Sequence, residues 1–378
     1  MIMVNCQEDY IYGILFPHLV HNNCRFFHIT HRLSTRLSTM KFDIVLDADT
    51  LSQIKATAIA AERMGFDAIW TPETRHDPFP QLALIAEHTE EIELGTAIAV
   101  AFARSPMHTA YVAWDMARYS NGRFILGLGT QIKPHIERRF AMPWSKPATR
   151  LREYILALKH IWRAWQYNEK LNFRGDFYKM TLMSPFFSPG PIKHPDIPIY
   201  IAGVNQRLCE LAGELCDGFH VHPFHTIDYL RERIRPWVTA GAEKAGRSVE
   251  DVTFSTTVFT IVGDDEKERA MRRQQVRMQI AFYASTPSYR PVLEQHGWED
   301  IGELLGKMAV RKQWQEMPAL ITDEMVDAFA LTGTWDEIGP AIKARYGGLL
   351  QRATLYIPFV PGENDDGWRR LLDAIKPV

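Results

Sequence analysis

From Lys41 onward, short apolar runs alternate with longer segments whose apolar residues recur every three to four positions. Continuous apolar runs of four to eight residues suit parallel strands buried on both faces, and the longer period is that of amphipathic helices. Strands are predicted near 42–47, 67–71, 92–100, 123–129, 198–202, 216–221, 252–262 and 352–359. Helices are predicted over 51–64, 80–88, 107–119, 147–166, 205–214, 226–245, 265–281 and 336–346. Asp49 or Thr50 can cap the first helix, with Gln53 placed to complete a capping box, and Gly65 can end it in the left-handed conformation. Thr334 or Asp336 can open the helix at 336–346.

Eight βα units without a Gly/Ser-rich linker favour a closed (β/α)8 TIM barrel over an open doubly wound sheet. An open dinucleotide-binding sheet also wants G-x-G-x-x-G after its first strand, and none stands there. Insertions are expected after strands four and seven. Residues 167–197, rich in Gly, Pro and aromatics, read as a short hairpin and a covering loop. Residues 282–335 read as a long, partly helical insertion. Both are expected to shape a pocket mouth and to set substrate identity. The barrel domain is assigned to 40–378 and an N-terminal extension, expected to be poorly ordered, to 1–39. His18, His21, His28 and His31 in that extension show no repeating ligand spacing.

Composition narrows the function classes. With 378 residues, 46% hydrophobic and 23% charged, the chain is ordinary for a globular protein with a large core. The net charge of −2 comes without a basic block, which argues against a nucleic-acid groove. No apolar run reaches the roughly 18 residues that span a membrane. Four cysteines without a CxxC read as reduced thiols in the cytoplasm, with Cys209 and Cys216 in the core.

An active site in this fold sits at the carboxyl ends of the strands. That rule selects Thr71–Asp77 after strand two, where Glu73 and His76 put a carboxylate and an imidazole close together. A structural ion pair is the competing reading there. It selects Phe102 and Arg104 after strand three, and Gly129, Thr130, Gln131 and His135 after strand four. After strand five, Gly203-Val204-Asn205 leads into a helix and suits either a phosphate or an ordinary turn. His220, His222 and His225 on strand six could be structural, contact a ligand or hold a metal. Trp70, Phe79, Phe102 and Phe224 are candidates for an apolar substrate pocket, with Trp70 equally suited to the barrel core.

Several pieces together resemble the luciferase-like monooxygenase superfamily. They are Ala61–Trp70 (AERMGFDAIW), Ile92–Val100 running on to Pro106, Ser120–Thr130 (SNGRFILGLGT), Ile199–Gly203 and Ala212–Gly218. The likeness extends from Lys41 to the C-terminus, and the runs ETRHDPF, GTAIAVAFARSP and GLGTQIKPHIERRF look most like the coenzyme F420-dependent branch. The resemblance implies a deazaflavin cofactor, with FMN as the alternative, a small-molecule substrate and a homodimer. It implies a bulge on the third strand with a non-prolyl cis peptide, here Ala97-Ile98, against the cofactor ring. It implies ring or ribityl contacts at Asn121, Gly129 and Thr130, and phosphate contacts at Gly203, Val204 and Asn205. Glu73 and Thr74 fall where relatives carry an acidic residue and a histidine; Thr74 departs from that pattern, so His76 and Glu73 are taken as the proton-handling pair. Thr74, Arg104, Gln131 and His222 are the expected substrate contacts, and no metal is expected. The rival functions are an FMN-dependent monooxygenase using O2, a metal-dependent barrel hydrolase built on the three histidines, and a non-catalytic cofactor-binding barrel.

Overall fold

The computed structural model describes residues 40–376, so the N-terminal extension lies outside the described residues. Eight parallel strands close into a barrel: β1 (Lys41–Val45), β2 (Ala68–Thr71), β3 (Glu93–Thr96), β4 (Phe124–Gly129), β5 (Ile199–Gly203), β6 (Gly218–Val221), β7 (Thr253–Val262) and β8 (Arg352–Leu355). Each pairs with the next, and β8 returns to β1 through Lys41↔Arg352.

Strand alternation sorts the side chains into two layers. Phe42, Ile44, Ile69, Ile199, Ile201, Phe219 and Ala353 join the main core against the surrounding helices. Ala68, Trp70, Ile125 and Tyr200 form a smaller cluster of their own. Beside Trp70, Arg352 grips Asp43 with two hydrogen bonds, Nε–Oδ2 at 2.7 Å and Nη2–Oδ1 at 2.9 Å, and also donates to Glu93. Trp70 Nε1 donates to the same Asp43 at 2.9 Å. Burial pushes the Asp43 carboxyl up, and the Arg352 guanidinium and Trp70 N–H act against it. Trp70 is barrel core and leaves the list of pocket candidates. Phe79, Phe102 and Phe224 are buried too, so none of the four proposed pocket aromatics forms an open wall.

The first helix, Leu51–Met64, starts at Thr50 with the expected capping box and stops at Gly65, whose φ is 93°. Thr334 caps Trp335–Tyr346 in the same way, with Glu337 as its partner. Helix Trp335–Tyr346 packs against a further helix, Asp365–Ile375, which the periodicity reading omitted.

Both insertions differ from expectation. The hairpin Phe173–Arg174/Lys179–Met180 is present. It rests on the outside of helix Pro147–Tyr167, where Glu153 accepts the N–H groups of Asp176, Phe177 and Tyr178. The chain then runs past helix Pro106–Tyr119, with Tyr111 donating to Phe187 O and Trp114 to Gly190 O. It reaches His194 beside Asn121, at the amino end of β4. This segment therefore clothes outer helices and exits at the amino ends of the strands; it does not frame the mouth. The second insertion begins earlier than 282. Helix Glu266–Ala284 is its first element, because β7 continues past the barrel and pairs over Phe259–Val262 with an additional strand, Ala330–Gly333.

Candidate active site at the carboxyl ends of the strands

After Thr96 the chain leaves regular pairing and resumes at Ala99–Val100. Gly95 pairs with Ile125 and Ala99 with Leu128, so four steps on this strand match three on β4. The extra residue is a bulge, and the Ala97–Ile98 peptide within it is cis. Thr96 fixes its base: Oγ1 donates to Gly127 O at 2.6 Å and accepts Gly127 N–H at 2.9 Å. A Cβ on Gly127 would stand 1.8 Å from Thr96 O, so only glycine fits. Gly129 opens room for Ile98, whose Cδ1 would lie 2.6 Å from an added Cβ. Ala97 and Ile98 remain half-buried at the mouth and form a shelf.

The loop after β2 clamps this shelf. Thr71 O accepts Ala97 N–H at 3.0 Å, and Ile98 O accepts Glu73 N–H at 3.3 Å. Glu73 Oε2 accepts Val100 N–H at 2.7 Å and Arg104 Nη1 at 2.6 Å. Arg104 also donates to Asp77, which caps helix Pro78–His88 by accepting Phe79 N–H at 3.0 Å. Glu73 is buried and its charge is met by Arg104. Thr74 is exposed, and its carbonyl accepts Arg139 Nη2 at 2.7 Å. His76 is about half exposed on the rim, with Nε2 3.3 Å from Asp49 Oδ1, while Arg75 pairs with Asp47 and Asp49.

Thr130 and Gln131 follow β4, with Gln131 in the left-handed region at φ 59°. Gly203 ends β5, and a Cβ there would meet Leu208 Cβ at 2.5 Å, so its missing side chain lets helix Gln206–Leu215 start against the strand end. Asn205 caps that helix by accepting Leu208 N–H at 3.3 Å. The first-turn N–H groups of such a helix favour an anion.

Asn121 does not belong here. It sits in a left-handed turn before Phe124, at the amino end of β4, and its Oδ1 is 3.2 Å from His194 Nε2. The strand's length separates it from Gly129 and Thr130, so its assignment as a cofactor contact is corrected.

The three histidines of β6 do not converge. His220 points into the barrel, edge-on to Trp70 with centroids 4.9 Å apart. His222 and His225 lie beyond the strand end, and His225 Nδ1–H donates to His222 O at 2.8 Å. Burial pushes His220 down to about 3, helped by the Arg352 charge. Burial likewise pushes His222 down to about 3 and His225 to about 4. All three are neutral imidazoles at neutral pH. Among the described residues no group of three or more His, Cys, Asp and Glu is arranged to hold a metal ion.

Sequence reasoning missed the tyrosines. Tyr283 and Tyr289 come from the second insertion and Tyr356 from the exit of β8; all three are half-buried, the first two against His222 and the third bonded to Tyr283. The available signal was the aromatic run Phe282-Tyr283 followed by Tyr289 where the helix gives way to Ser-Thr-Pro.

The residues match the luciferase-like monooxygenase family model over 26–352. An uncharacterized protein of Mycobacterium tuberculosis is 47% identical over 302 residues, covering 80% of this chain and 89% of that one. The 5,10-methylenetetrahydromethanopterin reductase of Methanolobus tindarius is 31% identical over 312 residues, covering 80% and 88%. Among solved structures, the coenzyme F420 dependent tetrahydromethanopterin reductase from Methanopyrus kandleri superposes with a TM-score of 0.71 at 21% identity, covering 88% and 97%. The chain belongs to the luciferase-like monooxygenase family. It is an oxidoreductase, and its fold is shared by coenzyme F420-dependent enzymes and by monooxygenases among the solved structures. No described helix is long and apolar enough to cross a membrane.

Proposed function

We propose that this oxidoreductase uses a deazaflavin, coenzyme F420, to act on a small organic substrate. Two features at the carboxyl ends of the strands support a flavin-type cofactor, a shelf for a ring and a candidate anion site, and the F420 named for similar proteins favours the deazaflavin over FMN. The shelf is Ala97–Ile98, bordered by Gly129 and Thr130; the anion site is the turn Gly203-Val204-Asn205 at a helix start. The shelf suits a flat ring because Ala97 carries only a methyl and Gly129 leaves room beside it for the Ile98 side chain. The turn suits a phosphate because backbone N–H groups and the helix dipole face it. When bound, the cofactor supplies the hydride donor or acceptor.

The chain's own residues divide the remaining work. His76, accessible at the rim beside Asp49, is the group we assign to proton handling. Glu73 holds the shelf through Val100 and Arg104 and acts as a positioning residue, since both bonds commit the same carboxylate oxygen. Arg104 is likewise committed to Glu73 and Asp77 and supports the site without touching substrate. Thr74 and Gln131 are assigned to substrate contact, and His222, bonded to Tyr289, to holding the substrate side in place.

Purified protein titrated with F420 and, separately, with FMN decides the cofactor. Quenching of F420 fluorescence at concentrations where FMN does not bind is expected. Preference for FMN would move the protein to the oxygen-using monooxygenases of the family.

A further inference from the structure

At the carboxyl end of β6, His222 Nδ1 accepts the N–H of Phe224 at 3.1 Å. A neutral imidazole that accepts at one nitrogen carries its proton on the other. Nε2–H therefore donates to Tyr289 Oη, 3.0 Å away. That bond fills an acceptor position on the phenol and leaves its own O–H without a protein acceptor among the described residues. The two rings stack at 4.5 Å with 26° between their planes, so the hydroxyl is held in place before any ligand arrives.

Aromatic rings surround this donor. Tyr283 stands edge-on to His222 at 4.8 Å, Phe224 lies 5.7 Å from Tyr289, and Phe259 lies 4.7 Å from Tyr356. The hydroxyls of Tyr283 and Tyr356 are 2.8 Å apart and share one hydrogen bond. The side chains that pack against His222, Tyr283 and Tyr289 are the rings of Phe224, Phe259 and Phe282, the Tyr356 hydroxyl and one another. An anionic or cationic group placed among these rings would lose hydration that the aromatic faces do not replace. A neutral acceptor oxygen on an apolar body would lose little and gain a preset donor.

We propose that Tyr289, oriented by His222, is the donor that binds the acceptor oxygen of an uncharged substrate, a carbonyl compound with an aromatic or alicyclic body. The assignment rests on reading this mouth as the oxidoreductase site. His222 is the positioning residue and Tyr289 the group that touches substrate.

The test is calorimetric binding of acetophenone and of benzoate, which share a ring and differ in charge, to the purified full chain with and without F420. Acetophenone is expected to bind and benzoate to bind at least about tenfold more weakly. Tyr289→Phe keeps the stacking and removes the donor, so acetophenone affinity is expected to fall about five- to tenfold, the worth of one neutral hydrogen bond. Its urea midpoint and its F420 affinity are expected to stay at the wild-type values. His222→Phe is expected to give the same loss with the Tyr289 hydroxyl still present. Equal binding of benzoate, binding of neither probe, or wild-type acetophenone affinity in Tyr289→Phe would overturn the proposal. Failure of F420 to bind would instead remove the cofactor reading, and the titrations without cofactor separate the two results.

Discussion

Glu73 and His76 are three positions apart, yet their surroundings give them different work. The Glu73 carboxylate is buried and tied to Arg104 and Val100; the His76 ring is on the rim with solvent around it. Removing one partner of a buried ion pair leaves the other charge uncompensated, at a cost of about 3–5 kcal/mol. Arg104 retains Asp77, so Glu73→Ala is expected at the lower end, about 3 kcal/mol, read as a drop in the urea midpoint. F420 affinity is expected to fall with it, because Val100 N–H loses its acceptor and the shelf its clamp. His76→Ala is expected to change stability by no more than about 0.5 kcal/mol, as for other surface sites, and to slow turnover without weakening F420 binding. A Glu73→Ala protein of wild-type stability would contradict the clamp. Adjacency in sequence suggested an acid–base pair; the division of roles depends on Arg104, which reaches Glu73 from the next βα unit.

At the scale of elements, two glycines on β4 make contrasting predictions. An alanine methyl at Gly127 meets a backbone carbonyl, Thr96 O, at 1.8 Å, and backbone there cannot yield without opening the bulge. Gly127→Ala is expected to cost about 3 kcal/mol or more and to abolish F420 binding. At Gly129 the obstacle is the tip of the Ile98 side chain, which can swing aside. Gly129→Ala is expected to fold, with a loss near 1 kcal/mol, and to bind F420 more weakly because Ile98 is displaced at the shelf. Equal effects at the two sites would show that the bulge is not what these glycines protect. The eight strands and the caps of the first helix were legible because period and turn chemistry are local. The role of helix Glu266–Ala284 was not, because a lid helix and a barrel helix present the same 3.6-residue period. What separates them is that β7 overruns the barrel by pairing with Ala330–Gly333, a contact about 70 residues distant. Asn121 was misplaced for a related reason: a family motif that runs along a whole strand includes residues at both of its ends. Tyr283 and Tyr289 escaped notice because one lies in the last turn of helix Glu266–Ala284 and the other in the short turn after it, and nothing local says that either meets the barrel mouth.

For the whole molecule, β6 and the turn after it concentrate three neutral histidines in six residues, His220 and His225 buried and His222 half-buried, and this sets how the fold responds to acid. His225 has an Nε2 that is buried with no hydrogen-bond partner, so it cannot take up a proton without a bare buried charge, and His220 would carry its charge beside Arg352. Burial lowers the folded values to about 3, 3 and 4 for His220, His222 and His225, while an unfolded histidine titrates near 6.5. Between these values the unfolded chain binds protons that the folded chain does not. Stability is therefore fully present above about pH 6.5 and falls as pH drops toward the folded values. Each site contributes about 1.4 kcal/mol per pH unit in that window, so the three together lose about 4 kcal/mol by about pH 5.5. That is a large part of an ordinary folding free energy of about 5–15 kcal/mol. Carboxylates such as Glu62 and Glu93, whose folded values are lowered, act at lower pH, since their contribution is lost only as pH falls below the unfolded carboxylate range. The measurement is the urea unfolding free energy from about pH 8 to pH 5.5. It is expected to be flat above pH 6.5 and to descend steeply below it. His225→Gln is expected to reduce that slope by about a third whatever it does to absolute stability, because one titrating site is gone. A level profile down to pH 5.5, or an unchanged slope in the variant, would mean that these imidazoles take up protons in the folded barrel, and the neutral state assigned to the His222–Tyr289 pair would fail with it.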